Sequence, residues 1–123
     1  MNQRKIISSI LIAFLISFGY YSYGKSKAIG KVIAYPNPFH PGKHTLTIKP
    51  ANSATFSGTV RFKVYDFNEN LAYSGSSVTN SVIKWSGHNN SGTRVSPGLY
   101  FIQLTQTYPD SSIGVKYVKV LVQ

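Results

Sequence analysis

Along residues 32–123 a glycine, proline or asparagine breaks the chain every ten residues or so, and no unbroken stretch keeps a helical apolar period over a useful length. The pieces between the breaks are rich in Val, Ile, Thr, Tyr and Phe, and they alternate apolar with polar residues. Period two is the pattern of a half-buried strand, because successive side chains point to opposite faces. The chain is therefore expected to be all-β. Seven strands are predicted: Val32–Tyr35, His44–Lys49, Gly58–Asp66, Leu71–Tyr73, Val82–Trp85, Leu99–Leu104 and Val115–Val122. Short strands at this spacing predict a two-sheet β-sandwich of about seven strands.

The alternation also assigns faces. Val60, Phe62 and Val64 are expected inward, with Arg61, Lys63 and Tyr65 outward. Leu46 and Ile48 share a face, as do Ile83 and Trp85. Tyr100, Ile102 and Leu104 alternate with Phe101, Gln103 and Thr105, and Val118, Val120 and Val122 with Tyr117 and Lys119. Trp85, Tyr100 and Tyr35 are read as core aromatics rather than stacking surfaces. Between the sole tryptophan and Tyr100, the residues Gly87, Asn89, Asn90 and Gly92 accept positive φ and let the chain reverse, and Pro97-Gly98 makes a second turn. Three prolines between Pro36 and Pro41 exclude a central ladder there, so this stretch is an edge or crossover, with Phe39 plugging the core.

Residues 1–24 read as a secretory signal: Arg4 and Lys5, an apolar run from Ile6 to Phe18, and small residues Ser22 and Gly24 before a cleavage point. The apolar run falls short of the roughly 20 residues of a spanning helix. The rival reading is an uncleaved anchor extended by Tyr20, Tyr21 and Tyr23, aromatics suited to a membrane interface. Residues 25–31 follow as a basic linker with hinges at Ser26 and Gly30, and 32–123 form the domain. The expected destination is the periplasm, the outer surface or the medium, with a membrane tether if the segment stays. No cysteine is present for a disulfide or a lipid anchor.

Thirteen Lys+Arg stand against three Asp+Glu, a net +10. With Arg4 and Lys5 set aside, 11 basic and 3 acidic residues remain, +8 by the same count. Such a balance favours anionic surfaces such as lipopolysaccharide, acidic glycans or phospholipid headgroups. The outward set Arg61, Lys63, Lys84, Lys116 and Lys119, interleaved with Tyr65 and Tyr117, is the candidate basic and aromatic surface. Single-stranded nucleic acid is the least favoured of its possible ligands. The competing explanation needs no ligand: outward strand positions suit lysine, and edge lysines block aggregation.

The blocks Tyr35-Pro36-Asn37-Pro38-Phe39, Val64-Tyr65-Asp66 with its turn, Trp85-Ser86-Gly87, Asn89, Gly92 and Val95-Ser96-Pro97-Gly98-Leu99-Tyr100 resemble the Ig-like domain of the flagellar hook-capping protein FlgD. The pattern is also similar to the C-terminal sorting domains of type IX secretion cargo. It covers residues 32–122 in order and implies an exported Ig-like module. That module is normally the tail of a larger protein, whereas here it directly follows a signal segment. One departure is the turn after Asp66, where Asn68-Glu69-Asn70 replaces the usual glycine and an asparagine is expected to take the positive φ.

Catalysis would need a cluster of titratable groups. The carboxylates are Asp66, Glu69 and Asp110, all in or beside turns, and Asp66 is expected to cap its turn backbone. His40 and His44 are separated by Pro41-Gly42, so helical zinc-ligand spacing does not apply, and no metal or other cofactor is expected. No nucleophile elbow or phosphate-binding glycine loop is traceable. The chain is thus read as a non-enzymatic module working by protein contact in the envelope or at the surface, with an edge strand as one means of contact. The alternative is a binder of anionic glycan or lipopolysaccharide; a second is a stranded sorting tail.

Overall fold

Residues 26–123 are described by the structure, a computed structural model, and the segment read as a signal lies outside them. Eight strands follow in order: β1 (Val32–Tyr35), β2 (Leu46–Pro50), β3 (Thr59–Tyr65), β4 (Leu71–Ser74), β5 (Val78–Thr79), β6 (Ile83–Trp85), β7 (Gly98–Thr107) and β8 (Ile113–Val122). They form two sheets of a β-sandwich. The smaller has the order β1-β2-β6; the larger runs β4-β3-β7-β8, with β5 also pairing β3. All pairings between these strands are antiparallel. The eighth strand, β5, has only two residues, too few for alternation to reveal.

The core forms where the inward registers of the two sheets meet. Val60, Phe62 and Val64 from β3, Tyr100, Ile102 and Leu104 from β7, and Val120 and Val122 from β8 face Leu46, Ile48, Ile83 and Trp85. Trp85 gathers the aromatics, with ring centroids 5.8 Å from Phe39, 6.1 Å from Tyr100 and 6.4 Å from Tyr73. Its indole N–H, which would be costly to bury unpaired, donates to the His88 carbonyl at 3.0 Å. Tyr100 donates its hydroxyl to the Ser96 carbonyl at 2.6 Å, the kind of corner that tyrosine makes at the start of a sandwich strand.

Three expectations change. Tyr35 is 46% exposed at the end of β1, where the proline run carries the backbone out of the ladder, so it is not a core aromatic. Part of the predicted linker belongs to the fold: the Lys27 amide donates to the Ile113 carbonyl, and Ile29 is buried in the core. In the turn after Asp66 it is Glu69, not an asparagine, that takes φ 68°. The reason lies in Asp66, whose Oδ1 accepts from the Asn68 and Asn70 amides and fixes the flanking asparagines.

The long turn between β6 and β7 uses its residues unequally. Gly87 and Gly92 both take φ 85°, whereas Asn89 and Asn90 stay at negative φ and act through their side chains. Asn89 Oδ1 accepts from the Ser91 and Thr93 amides, and Asn90 exchanges hydrogen bonds with the backbone of Ser74.

Candidate functional site

The outer face of the larger sheet is where the sequence placed its surface residues. Arg61, Lys63 and Tyr65 on β3 alternate with buried residues, so strand geometry sends them to solvent. β7 pairs with β3 residue for residue, setting Thr105 beside Arg61, Gln103 beside Lys63 and Phe101 beside Tyr65. β8 continues the rows with Val115 beside Thr105, Tyr117 beside Gln103 and Lys119 beside Phe101. The Gln103 amide donates to the Tyr117 hydroxyl at 2.7 Å and holds that ring across the two strands.

Five of the seven predicted surface residues therefore share one face: Arg61, Lys63, Tyr65, Tyr117 and Lys119. The other two do not. Lys84 lies on β6 in the opposite sheet, where its ammonium donates to the Thr47 hydroxyl at 3.3 Å. Lys116 falls in the core-side register of β8 with Val118 and Val120 and is half-buried opposite Leu104. It is tolerated there because β8 is an edge strand, and a lysine stem can lie along apolar neighbours while its ammonium reaches water.

What the sequence reading missed is how apolar this face is. Phe67 is 69% exposed and Tyr117 57%, and Leu71, Ile113, Val115 and Leu121 are exposed as well. Leu71 pairs with Tyr65, so an aromatic and aliphatic row crosses all four main strands: Leu71, Tyr65, Phe101 and then the stem of Lys119. An open groove of about 630 Å³ lies here, lined by Tyr65, Asp66, Phe67, Glu69, Phe101 and Tyr117. One signal was visible: Phe101 follows Leu99 in the outward register that Gln103 and Thr105 continue.

The remaining motif residues are structural. Asn37 reaches β8, its side-chain amide donating to the Lys119 carbonyl and its Oδ1 accepting from the Leu121 amide. Phe39 is wholly buried. The Asp110 carboxylate accepts from the Ser112 hydroxyl and amide, which holds it below its ordinary pKa, with Lys27 adding to the effect. Lys27 also stands 4.3 Å from the centre of the Tyr108 ring. Two of the three carboxylates are thus engaged in turn hydrogen bonds.

No family model matches the sequence, and no curated protein does. Among solved structures it is similar to PorZ, an essential bacterial surface component of the type-IX secretion system of Porphyromonas gingivalis. The identity is 29% and the TM-score 0.54, over 75% of this chain and 11% of PorZ. It is also similar in fold to PorU of the same organism, solved in a dimeric latent form, at 22% identity and TM-score 0.55, over 74% of this chain and 9% of PorU. The chain spans about a tenth of either protein. Two type IX secretion proteins therefore carry a sandwich of this kind.

Proposed function

We propose that this chain is an exported Ig-like module, without catalytic activity, that makes a protein–protein contact in a secretion or surface assembly of the cell envelope. The observation that carries the reading is the exposed apolar and aromatic face of the larger sheet, since soluble monomers seldom leave such a patch in water unless something covers it. The likeness to PorZ supports the setting. The engagement of Asp66 and Asp110 in turns supports a role without catalysis.

The test is capture from envelope extract on the immobilised full-length chain, beside a Tyr65→Ser, Phe101→Ser double variant. Both positions face outward, so the variant should fold. The expected result is a protein retained by the parent at both about 0.1 M and about 1 M salt, where the Debye length falls from about 10 Å to about 3 Å, and released by the variant. Retention of lipopolysaccharide or glycan that fades with salt and needs Arg61, Lys63 and Lys119 would establish the polyanion reading instead. Retention indifferent to the face would refute both.

A further inference from the structure

We infer that the outer edge of β8 between Val115 and Lys119 accepts a short extended segment of another polypeptide, carrying at least one carboxylate, as an added strand. The inference rests on the protein-contact reading above and gives that contact a second, backbone component.

The edge is defined by parity. In a strand the N–H and C=O of one residue point the same way, and alternate residues point oppositely. The Ile113 carbonyl accepts from the Lys27 amide, and the Leu121 carbonyl from the Phe39 amide. Asn37 bonds the Leu121 amide and the Lys119 carbonyl. These contacts show that the odd-numbered residues face away from β7. Both backbone groups of Val115 and Tyr117, and the amide of Lys119, then have no partner among the described residues. They form a row of unpaired groups between two closed ends, with β1 of the other sheet passing near it.

The other sheet edges are poorer templates. β1 and β4 have four residues each and β6 three, and the β3–β4 pairing shifts register between Val64 and Tyr65. β8 keeps an unbroken register with β7 over ten residues. Its two lysines guard this long, regular edge against pairing with its own kind.

The gap selects its occupant. From Val115 to Lys119 it spans about 13 Å at about 3.3 Å per residue, room for roughly five residues. A second copy of β8 does not fit. Antiparallel pairing centred on Tyr117 sets Ile113 of one copy against Leu121 of the other, and both are already held by Lys27 and by Asn37 and Phe39. β8 carries Lys116 and Lys119 and no acidic residue, so it repels its own kind and attracts a carboxylate. Tyr117 and Val115 flank the gap on the outer face, and a groove of about 570 Å³ lined by Ser26, Lys27, Ala28, Ile113, Gly114 and Val115 lies at its near end. Backbone pairing would supply affinity, and these side chains the choice of sequence.

The experiment is amide hydrogen exchange on the isotopically labelled full-length chain. The probe is an equimolar mixture of acetylated, amidated hexapeptides that alternate Val or Tyr with Asp or Thr. Millimolar mixture should slow exchange at the Val115, Tyr117 and Lys119 amides by about tenfold or more. The same mixture with Lys in place of Asp should not. Tyr117→Pro deletes an outward N–H that the fold does not use, a tolerated change at an edge, and should abolish the effect with Trp85 fluorescence unchanged. Should that variant unfold, a Lys116→Glu, Lys119→Glu variant is expected to reverse the preference between the two mixtures. Unslowed edge amides would overturn the inference; if the Tyr65→Ser, Phe101→Ser variant still loses its captured protein, the face reading survives. Equal slowing by both mixtures would overturn the carboxylate requirement.

Discussion

Gly87→Ala and Gly92→Ala form a matched pair. Both glycines take φ 85°, so an alanine suffers the same left-handed backbone penalty at either, about 1 kcal/mol or somewhat more. Their surroundings differ. A Cβ on Gly92 meets nothing within 4 Å, whereas one on Gly87 would lie 2.5 Å from Pro41 Cγ, 2.7 Å from Pro41 Cβ and 3.0 Å from Phe39 Cε2. Neither neighbour can yield cheaply, because Pro41 is a rigid ring and Phe39 is wedged against Trp85. Overpacking of this kind costs about 1–3 kcal/mol more. Gly92→Ala should therefore lose about 1 kcal/mol and Gly87→Ala roughly 2–4 kcal/mol, against the 5–15 kcal/mol typical of a domain. Urea unfolding followed by Trp85 fluorescence measures both. In thermal melts the first should fall by about 4–8 °C and the second at least about twice as far. Equal losses would refute the argument, for they would mean that the loop after Trp85 does not press on Pro41 and Phe39.

Tyr100→Phe should cost about 1 kcal/mol by deleting the bond to Ser96. Burial first, and Asp66 second, raise the Tyr100 pKa above 10.0, so its contribution is complete below that value and is lost as pH rises through the folded-state pKa. Alkaline melts of the variant should be correspondingly flatter. Glu69→Gly should stabilise by roughly 0.5 kcal/mol, the relief of positive φ exceeding the added chain entropy, as read in urea. The lowered Asp110 pKa gives the opposite sign: its stabilisation is present above the ordinary carboxylate range and lost as pH falls through the folded-state value. Asp110→Asn should accordingly weaken the acid-side pH dependence of unfolding.

The fold was legible wherever one face of a strand was strictly apolar. β3 is the clearest case, since Val60, Phe62 and Val64 could face only the core. β8 was harder, because Val115, Tyr117 and Leu121 point out while Val118, Val120 and Val122 point in, so hydrophobicity does not separate its faces. Lys116 was assigned outward for its charge, although its register lies with Val118. The separation of Lys84 from Arg61 depends on which strands share a sheet, and that pairing is long-range. The Asn37 contacts with β8 join residues more than eighty positions apart, beyond the reach of local pattern. The apolar outer face was hidden for a related reason. Leu71, Tyr65, Phe101 and Val115 are dispersed along the chain and become a patch only through register.

The attachments at the two ends of β8 also govern how the domain bears load. Ser26 lies beside Ile113 and Phe39 beside Val122, each running parallel to β8, so the ends of the sandwich lie at opposite ends of one strand. Tension applied through Ser26 and Gln123 pulls along β8 and shears these contacts together, rather than peeling them one at a time. The bonds from Lys27, Phe39 and Gln123 must then fail nearly at once. Single-molecule pulling between the ends should give a higher rupture force than pulling across the β3–β4 turn. Held in this way, the two ends should resist tension as one unit rather than bond by bond.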